Sequence, residues 1–265
     1  MASASSSNDT MNISRSTITL TFGDQAENHK GMQIVGSMVD KGQGFNRRDL
    51  EAIKRMFRNA TIHDLKQNDE QEDACLLVVK GGIQQILEGS GYTYEQMFEE
   101  QASLDVDKKA FMYGRVVNKS ARWNLCFDDE SQEPDYENKK GRIIAMRDMP
   151  ITNYMYGEFE YYFGVKALGL KGEGNYYYDV KKCGIGFHGD SERRKVVAFR
   201  LGAGNPIHYQ WFKDGEAVGE RMIFDLEGGD LYVMSEKAVG TDWKRSSIYT
   251  LRHATGSKQF TTIKE

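Results

Sequence analysis

Hydrophobic and polar residues alternate from Ser16 to Phe22 (STITLTF). That spacing predicts a strand with Ile18, Leu20 and Phe22 on one face. FNRRDLEAIKRMF follows a Gly-rich turn and has helical spacing, with Leu50, Ile53 and Phe57 on one side and Met56 beside them. Asn46 is a fitting N-cap, and Asp49 sits near the positive end of the helix. CLLVVKGGI (Cys75–Ile83) is a short apolar run closed by Gly-Gly and predicts a buried strand; Tyr92–Gln101 predicts a helix. One further helix is expected over about Thr152–Leu168. After it the pattern changes to eight short β-rich runs separated by Gly or charged turns: NYYYDV, CGIGFHGD, RKVVAFRLG, IHYQWF, ERMIFDL, DLYVMS, IYTLRH and KQFTTIK. No helix-length segments lie between them, so βαβ units are disfavoured and a sandwich or jelly roll is predicted.

These patterns predict one compact α+β unit, mainly β with supporting helices. Residues 1–15 (MASASSSNDTMNISR) are small and polar and are expected to be a disordered tail. Residues 16–115 form an N-terminal extension packed on the core as a lid, and 116–265 the core itself. The three cysteines, Cys75, Cys126 and Cys183, are too widely spaced for a disulfide scaffold or a thiolate zinc site. The chain of 265 residues carries a formal net charge of −4, against a protein that binds through bulk positive charge. No run approaches the ~18 apolar residues of a membrane helix. The N-terminus lacks an apolar signal core, so an intracellular monomer without membrane attachment is expected.

Among five histidines, two have informative surroundings. His188 and Asp190 form a His-x-Asp pair, which can reach one ion from a strand. His253 ends IYTLRH near the close of the same β-rich block. Two imidazoles and one carboxylate make the facial triad that holds Fe(II) and leaves coordination positions open. The alternative is a chance pair at a strand end, with His208 in reserve as third ligand should His253 point away.

From about Val116 onward, the order of Asn175-Tyr176-Tyr177, His188-Gly189-Asp190-Ser191-Glu192, Phe199-Arg200-Leu201-Gly202, Gly229-Asp230 and His253 resembles the AlkB-like branch of the Fe(II)/2-oxoglutarate dioxygenases. The resemblance implies a double-stranded β-helix (jelly roll) core. It implies iron on His188, Asp190 and His253, with 2-oxoglutarate and O2 as co-substrates. It also implies hydroxylation or oxidative demethylation of a modified base in nucleic acid, DNA or RNA. It places Asn175 and Tyr177 on 2-oxoglutarate, with Tyr178 as the rival to Tyr177 by one register step. The family's closing strand has two arginines six residues apart; here Lys258 and Lys264 stand at that spacing, and lysine offers a point charge without the bidentate fork. Arg200 is the alternative partner for the far (C5) carboxylate. Trp123 and Phe127 are expected to stack on a base, or else to be aromatic core. Arg193 is expected at a phosphate backbone, or else in a solvated turn. Two other readings remain: the same chemistry on a protein side chain or small metabolite, and a non-catalytic jelly-roll binding module.

Overall fold

A computed structural model describes residues 11–263. Residues 1–10, most of the polar N-terminal stretch, and Lys264 lie outside the described residues. Within the rest of that stretch Met11 is buried in the core, and Asn12 to Ser16 form a turn leading into the first strand.

The chain opens with β1 (Thr17–Gly23), then a hairpin of β2 (Gln25–Glu27) and β3 (Ile34–Gly36), then helix α1 (Arg47–Lys54). The expected cap of α1 is present: the Asn46 side chain accepts from the Arg48 and Asp49 amides, and Asp49 accepts from the Asn46 amide. Strands β4 (Ala60–Asp64) and β5 (Cys75–Val79) precede α2 (Gly82–Leu87) and α3 (Tyr94–Ala102). A second hairpin, β6 (Lys109–Met112) and β7 (Arg115–Asn118), leads to β8 (Trp123–Asp128) and β9 (Ile143–Ala145). The helix expected over Thr152–Leu168 is broken into α4 (Pro150–Gly157), α5 (Phe159–Phe163) and a 3-10 turn at Val165–Ala167, with Gly164 at φ +77° closing α5. The second half supplies β10 (Lys171–Tyr177), β11 (Gly184–His188), β12 (Val196–Gly202), β13 (Ile207–Lys213), β14 (Glu216–Phe224) and β15 (Leu231–Met234). It closes with a short α6 (Glu236–Val239), β16 (Thr250–Gly256) and α7 (Lys258–Thr261).

Seven of the eight β-rich runs are strands; the eighth, KQFTTIK, is not. Gly256, at φ +108°, turns the chain away after β16, and Phe260 of the following helical turn packs over Gly184, where a Cβ would collide with its ring. No closing strand therefore presents Lys258.

The protein is mainly β, in three layers. An eight-stranded sheet runs β4-β5-β15-β12-β1-β10-β8-β9, and a four-stranded sheet runs β11-β16-β13-β14. Strand alternation sorts the residues of the large sheet. Ile18, Leu20 and Phe22 of β1 and Val197, Phe199 and Leu201 of β12 join the core shared with α1 to α5. The opposite face supplies Leu76, Val196, Ala198 and Tyr232 to a second core against Tyr209, Trp211 and Leu251 of the small sheet. β1, from the first twenty-odd residues, sits centrally between β10 and β12. Its other face, Thr17, Thr19 and Thr21, is buried too. Two of those threonines border the cavity described next.

Candidate metal centre

His188 ends β11 and lies directly opposite His253 on β16. Asp190 follows in the loop after β11. Gly189 between them passes so close to Gly240 that any Cβ would strike the Gly240 carbonyl, so the tight approach requires glycine. The Asp190 amide donates to the Val239 carbonyl at 3.0 Å, and the Thr241 hydroxyl donates to the Arg193 carbonyl at 2.6 Å. The segment after β15 thus straps the ligand loop in place.

Asp190 Oδ1 lies 3.4 Å from His188 Nε2 and 3.6 Å from His253 Nε2. One ligand atom from each of the three residues falls within 4.8 Å of the others, so the group can hold a metal ion. The donor set fits such an ion. His188 Nδ1 faces the carbonyls of Gly186 (2.8 Å) and His253 (3.0 Å). Carbonyls only accept, so Nδ1 carries the proton and Nε2 keeps its lone pair for a metal. Burial, with His188 adding to it, lowers the His253 pKa and favours the neutral imidazole a metal needs. Burial alone would raise the Asp190 carboxyl; the two imidazoles beside it and the charge of Arg193 overcome it and hold the group well below the usual carboxylate range.

The triad lines a cavity of about 710 Å3 between the two sheets. Small-molecule sites typically occupy roughly 300–1,000 Å3. Its sheet floor carries Asn175 and Tyr177 of β10, Thr19 of β1 and Arg200 of β12. Asn175 and Arg200 each lie directly opposite Thr19 on the neighbouring strands. Arg200 is 1% exposed, its Nη1 donates to Thr19 Oγ1 at 2.6 Å, and its Nε has no partner among the described residues. Arg122, not singled out from sequence, also lines the cavity and donates from Nε to Asn175 Oδ1 at 2.7 Å. Neither arginine makes an ion pair among the described residues. A buried guanidinium without a counter-charge is costly unless a ligand supplies one.

The remaining expected residues divide clearly. Tyr177 borders the cavity, whereas Tyr178 stacks on Trp123 at 4.5 Å outside it. Trp123 and Phe127 do not reach the cavity: β8 alternates, and Trp123, Leu125 and Phe127 point into the helix-side core while Asn124 faces the other way. Arg193 lies in the cavity wall and not in a solvated turn. It is 3% exposed and paired with Glu173 and Glu192, so its charge is spent inside the wall. Lys258 is exposed on α7 and does not line the cavity. His208 is opposite Ala254, while Tyr209 is opposite His253; alternation therefore turns His208 to the other face of the sheet, away from the triad. The cavity also includes Glu27 and His29 from the β2–β3 hairpin, which sequence reasoning missed. Their signal was faint, since a three-residue strand bearing one carboxyl has no distinctive spacing.

No family model matches the chain. It is 44% identical over 256 residues to an uncharacterized protein of Acanthamoeba polyphaga mimivirus, an alignment that covers 93% of this chain and 98% of the viral one. The chain belongs to the family of that mimivirus protein. The viral relative brings no activity with it, so the functional reading rests on the site. Among the described residues no helix is long and apolar enough to cross a membrane.

Proposed function

We propose that the protein is an Fe(II)/2-oxoglutarate-dependent dioxygenase whose two opposed sheets form a double-stranded β-helix core. The observation that carries the reading is the joining of two features in one cavity: the His188–Asp190–His253 group and the buried, uncompensated Arg200. A metal triad alone fits many proteins. A metal triad beside a guanidinium that lacks an anion fits a chelating co-substrate with a second carboxylate.

Iron(II) on the triad would supply oxidative decarboxylation of 2-oxoglutarate by O2, coupled to hydroxylation of a substrate C–H bond. The chain's own residues do the positioning. His188 and His253 offer imidazole nitrogens, and Asp190 offers a carboxylate oxygen. Arg200 and Arg122 face the dicarboxylate, with Thr19 and Asn175 fixing their guanidinium groups. Tyr177, buried beside both, has a hydroxyl that burial keeps protonated, so it can donate to a carboxylate. The order of the AlkB-like motifs along β10, β11, β12, β15 and β16 supports the superfamily. It keeps a modified nucleic-acid base as the proposed substrate, with a protein side chain or small metabolite as the alternative. The stacking residues expected for a base do not support it, because they face the helix-side core.

The test is calorimetric titration of Mn(II), then 2-oxoglutarate, followed by assay of succinate formation with Fe(II) and O2. Stoichiometric metal, metal-dependent 2-oxoglutarate binding and succinate release are expected. Absence of metal binding would leave the non-catalytic binding module standing. A screen of methylated oligonucleotides, nucleosides and amines for mass loss then chooses the substrate.

A further inference from the structure

The cavity has two electrostatic poles, and only one is explained by the co-substrate. At the sheet floor Arg122 and Arg200 face the cavity without acidic partners. At the β2–β3 hairpin the sign reverses. Glu27 lines the cavity half-buried, and its Oε1 accepts from the Gly31 amide at 2.7 Å. Its Oε2 makes no hydrogen bond, and Glu27 makes no ion pair, among the described residues. Every other carboxyl in this wall is engaged: Glu173 and Glu192 by Arg193, and Asp190 by the two histidines. His29, two residues along, does not supply the missing charge, because burial and the nearby Lys119 push it toward its neutral form. Lys30 is exposed on the turn and makes no ion pair among the described residues.

We infer that Glu27 is a specificity-determining residue, and that the substrate presents a cationic nitrogen group (an amine, amidine, guanidine or protonated heteroaromatic ring) to its carboxylate. The inference rests on the dioxygenase reading above. A carboxylate at this place has the wrong sign for 2-oxoglutarate or for a phosphate, so it does not belong to the co-substrate pole. The Gly31 amide fixes its direction in advance, which lowers the ordering cost of a charged hydrogen bond to a ligand. Burial and the neighbouring Glu192 and Glu173 raise its pKa to about 7 against the lowering pull of the Gly31 amide and of Arg193, whose own ion pairs go to Glu173 and Glu192. The cavity lining also carries the apolar side chains Ile34, Met38, Ile185 and Phe187, which suit the hydrocarbon part of such a ligand.

The experiment uses the whole chain loaded with Mn(II) and 2-oxoglutarate, and matched fragment pairs that differ in charge: benzamidinium against benzamide, and methylguanidinium against N-methylurea. The wild type is expected to bind each cation about tenfold more tightly than its neutral partner, the scale of one charged hydrogen bond. Glu27→Gln, nearly the same shape, should bring the pair to within about twofold of each other while binding 2-oxoglutarate like the wild type. No cation preference, or a preference that survives Glu27→Gln, overturns the inference. Failure of the wild type to take up 2-oxoglutarate in the same instrument overturns the dioxygenase reading instead, so the two failures are distinguishable.

Discussion

The two faces of the large sheet are made from the same strands and do opposite work. Toward the helices, β1 and β12 offer Ile18, Leu20, Phe22, Val197, Phe199 and Leu201, all buried against apolar neighbours. Toward the cavity the same two strands offer Thr19, Thr21 and Arg200, and β10 adds Glu173 and Asn175. Both faces are removed from bulk water, but the second is apolar only where Leu76, Val196 and Ala198 meet the small sheet and turns polar at the cavity. Burying polar groups is unfavourable unless they find partners. A strand that buries its polar face therefore marks a place where something other than stability sets the residues. The difference predicts two kinds of mutational outcome, separable by whether stability or ligand binding is lost.

The largest effect is expected at the metal. His188→Ala or Asp190→Ala should remove stoichiometric Mn(II) or Fe(II) binding in calorimetry, with the far-ultraviolet spectrum unchanged. Retained metal in both variants would break the assignment. Next comes Arg200→Ala, which should weaken 2-oxoglutarate binding by about 100-fold, roughly 3 kcal/mol at 1.4 kcal/mol per decade. Among the described residues Arg200 has one side-chain partner, Thr19, and a co-substrate carboxylate would lose its counter-charge in a buried site. Across the sheet the pattern should invert. Phe199 is fully buried against Phe22, Phe159 and Phe163, and Phe199→Ala should cost about 3–5 kcal/mol in denaturant unfolding. What remains folded should still bind metal. If Phe199→Ala abolished metal binding in the folded protein, the division between the faces would fail.

How far the sequence was legible follows the same division. The apolar face could be read directly, because STITLTF shows its alternation and Asn46 with Asp49 announces the start of α1. His188 and Asp190 were visible as a local pair. His253 was named as third ligand from its place near the close of the β-rich block, and the pairing of β11 with β16 supplies the reason, setting it opposite His188. Trp123 and Phe127 follow the second of their two readings, aromatic core, and not base stacking. In WNLCFD the alternation already sets Trp123, Leu125 and Phe127 together and leaves Asn124 on the other side. Arg122, Thr19 and Glu27 could not be grouped from sequence at all, since they come from three separate segments that meet only in the folded chain.

A smaller effect concerns acidity. Burial raises the Glu27 pKa from 4.5 to about 7. Between those values the folded chain holds a proton that the unfolded chain has released, so this group lowers stability as pH rises through that window. Glu27→Gln cannot titrate. The melting temperature of the wild type should therefore fall relative to Glu27→Gln between pH 5 and pH 8, by an amount limited by solvent access to the cavity. Parallel profiles would place the carboxyl in ordinary solvent and weaken its part in the second pole.

The smallest effect is expected at Lys258, and its smallness is informative. Lys258 and Lys264 stand six residues apart, and the AlkB-like resemblance implies that both lie on a closing strand beside the co-substrate. In the fold Gly256 ends β16, Ser257 begins a helical turn, and Lys258 is exposed outside the cavity. An exposed lysine away from a binding site contributes within about 0.5 kcal/mol to stability. Lys258→Ala should then leave 2-oxoglutarate affinity within about twofold of wild type, against the roughly 100-fold loss at Arg200. The pair of variants, titrated side by side, decides which cation faces the C5 carboxylate. A large loss at Lys258 with none at Arg200 would mean that the C-terminal segment rearranges to form the expected strand when 2-oxoglutarate binds. The polar face of the large sheet would then be a wall of the cavity without a ligand of its own.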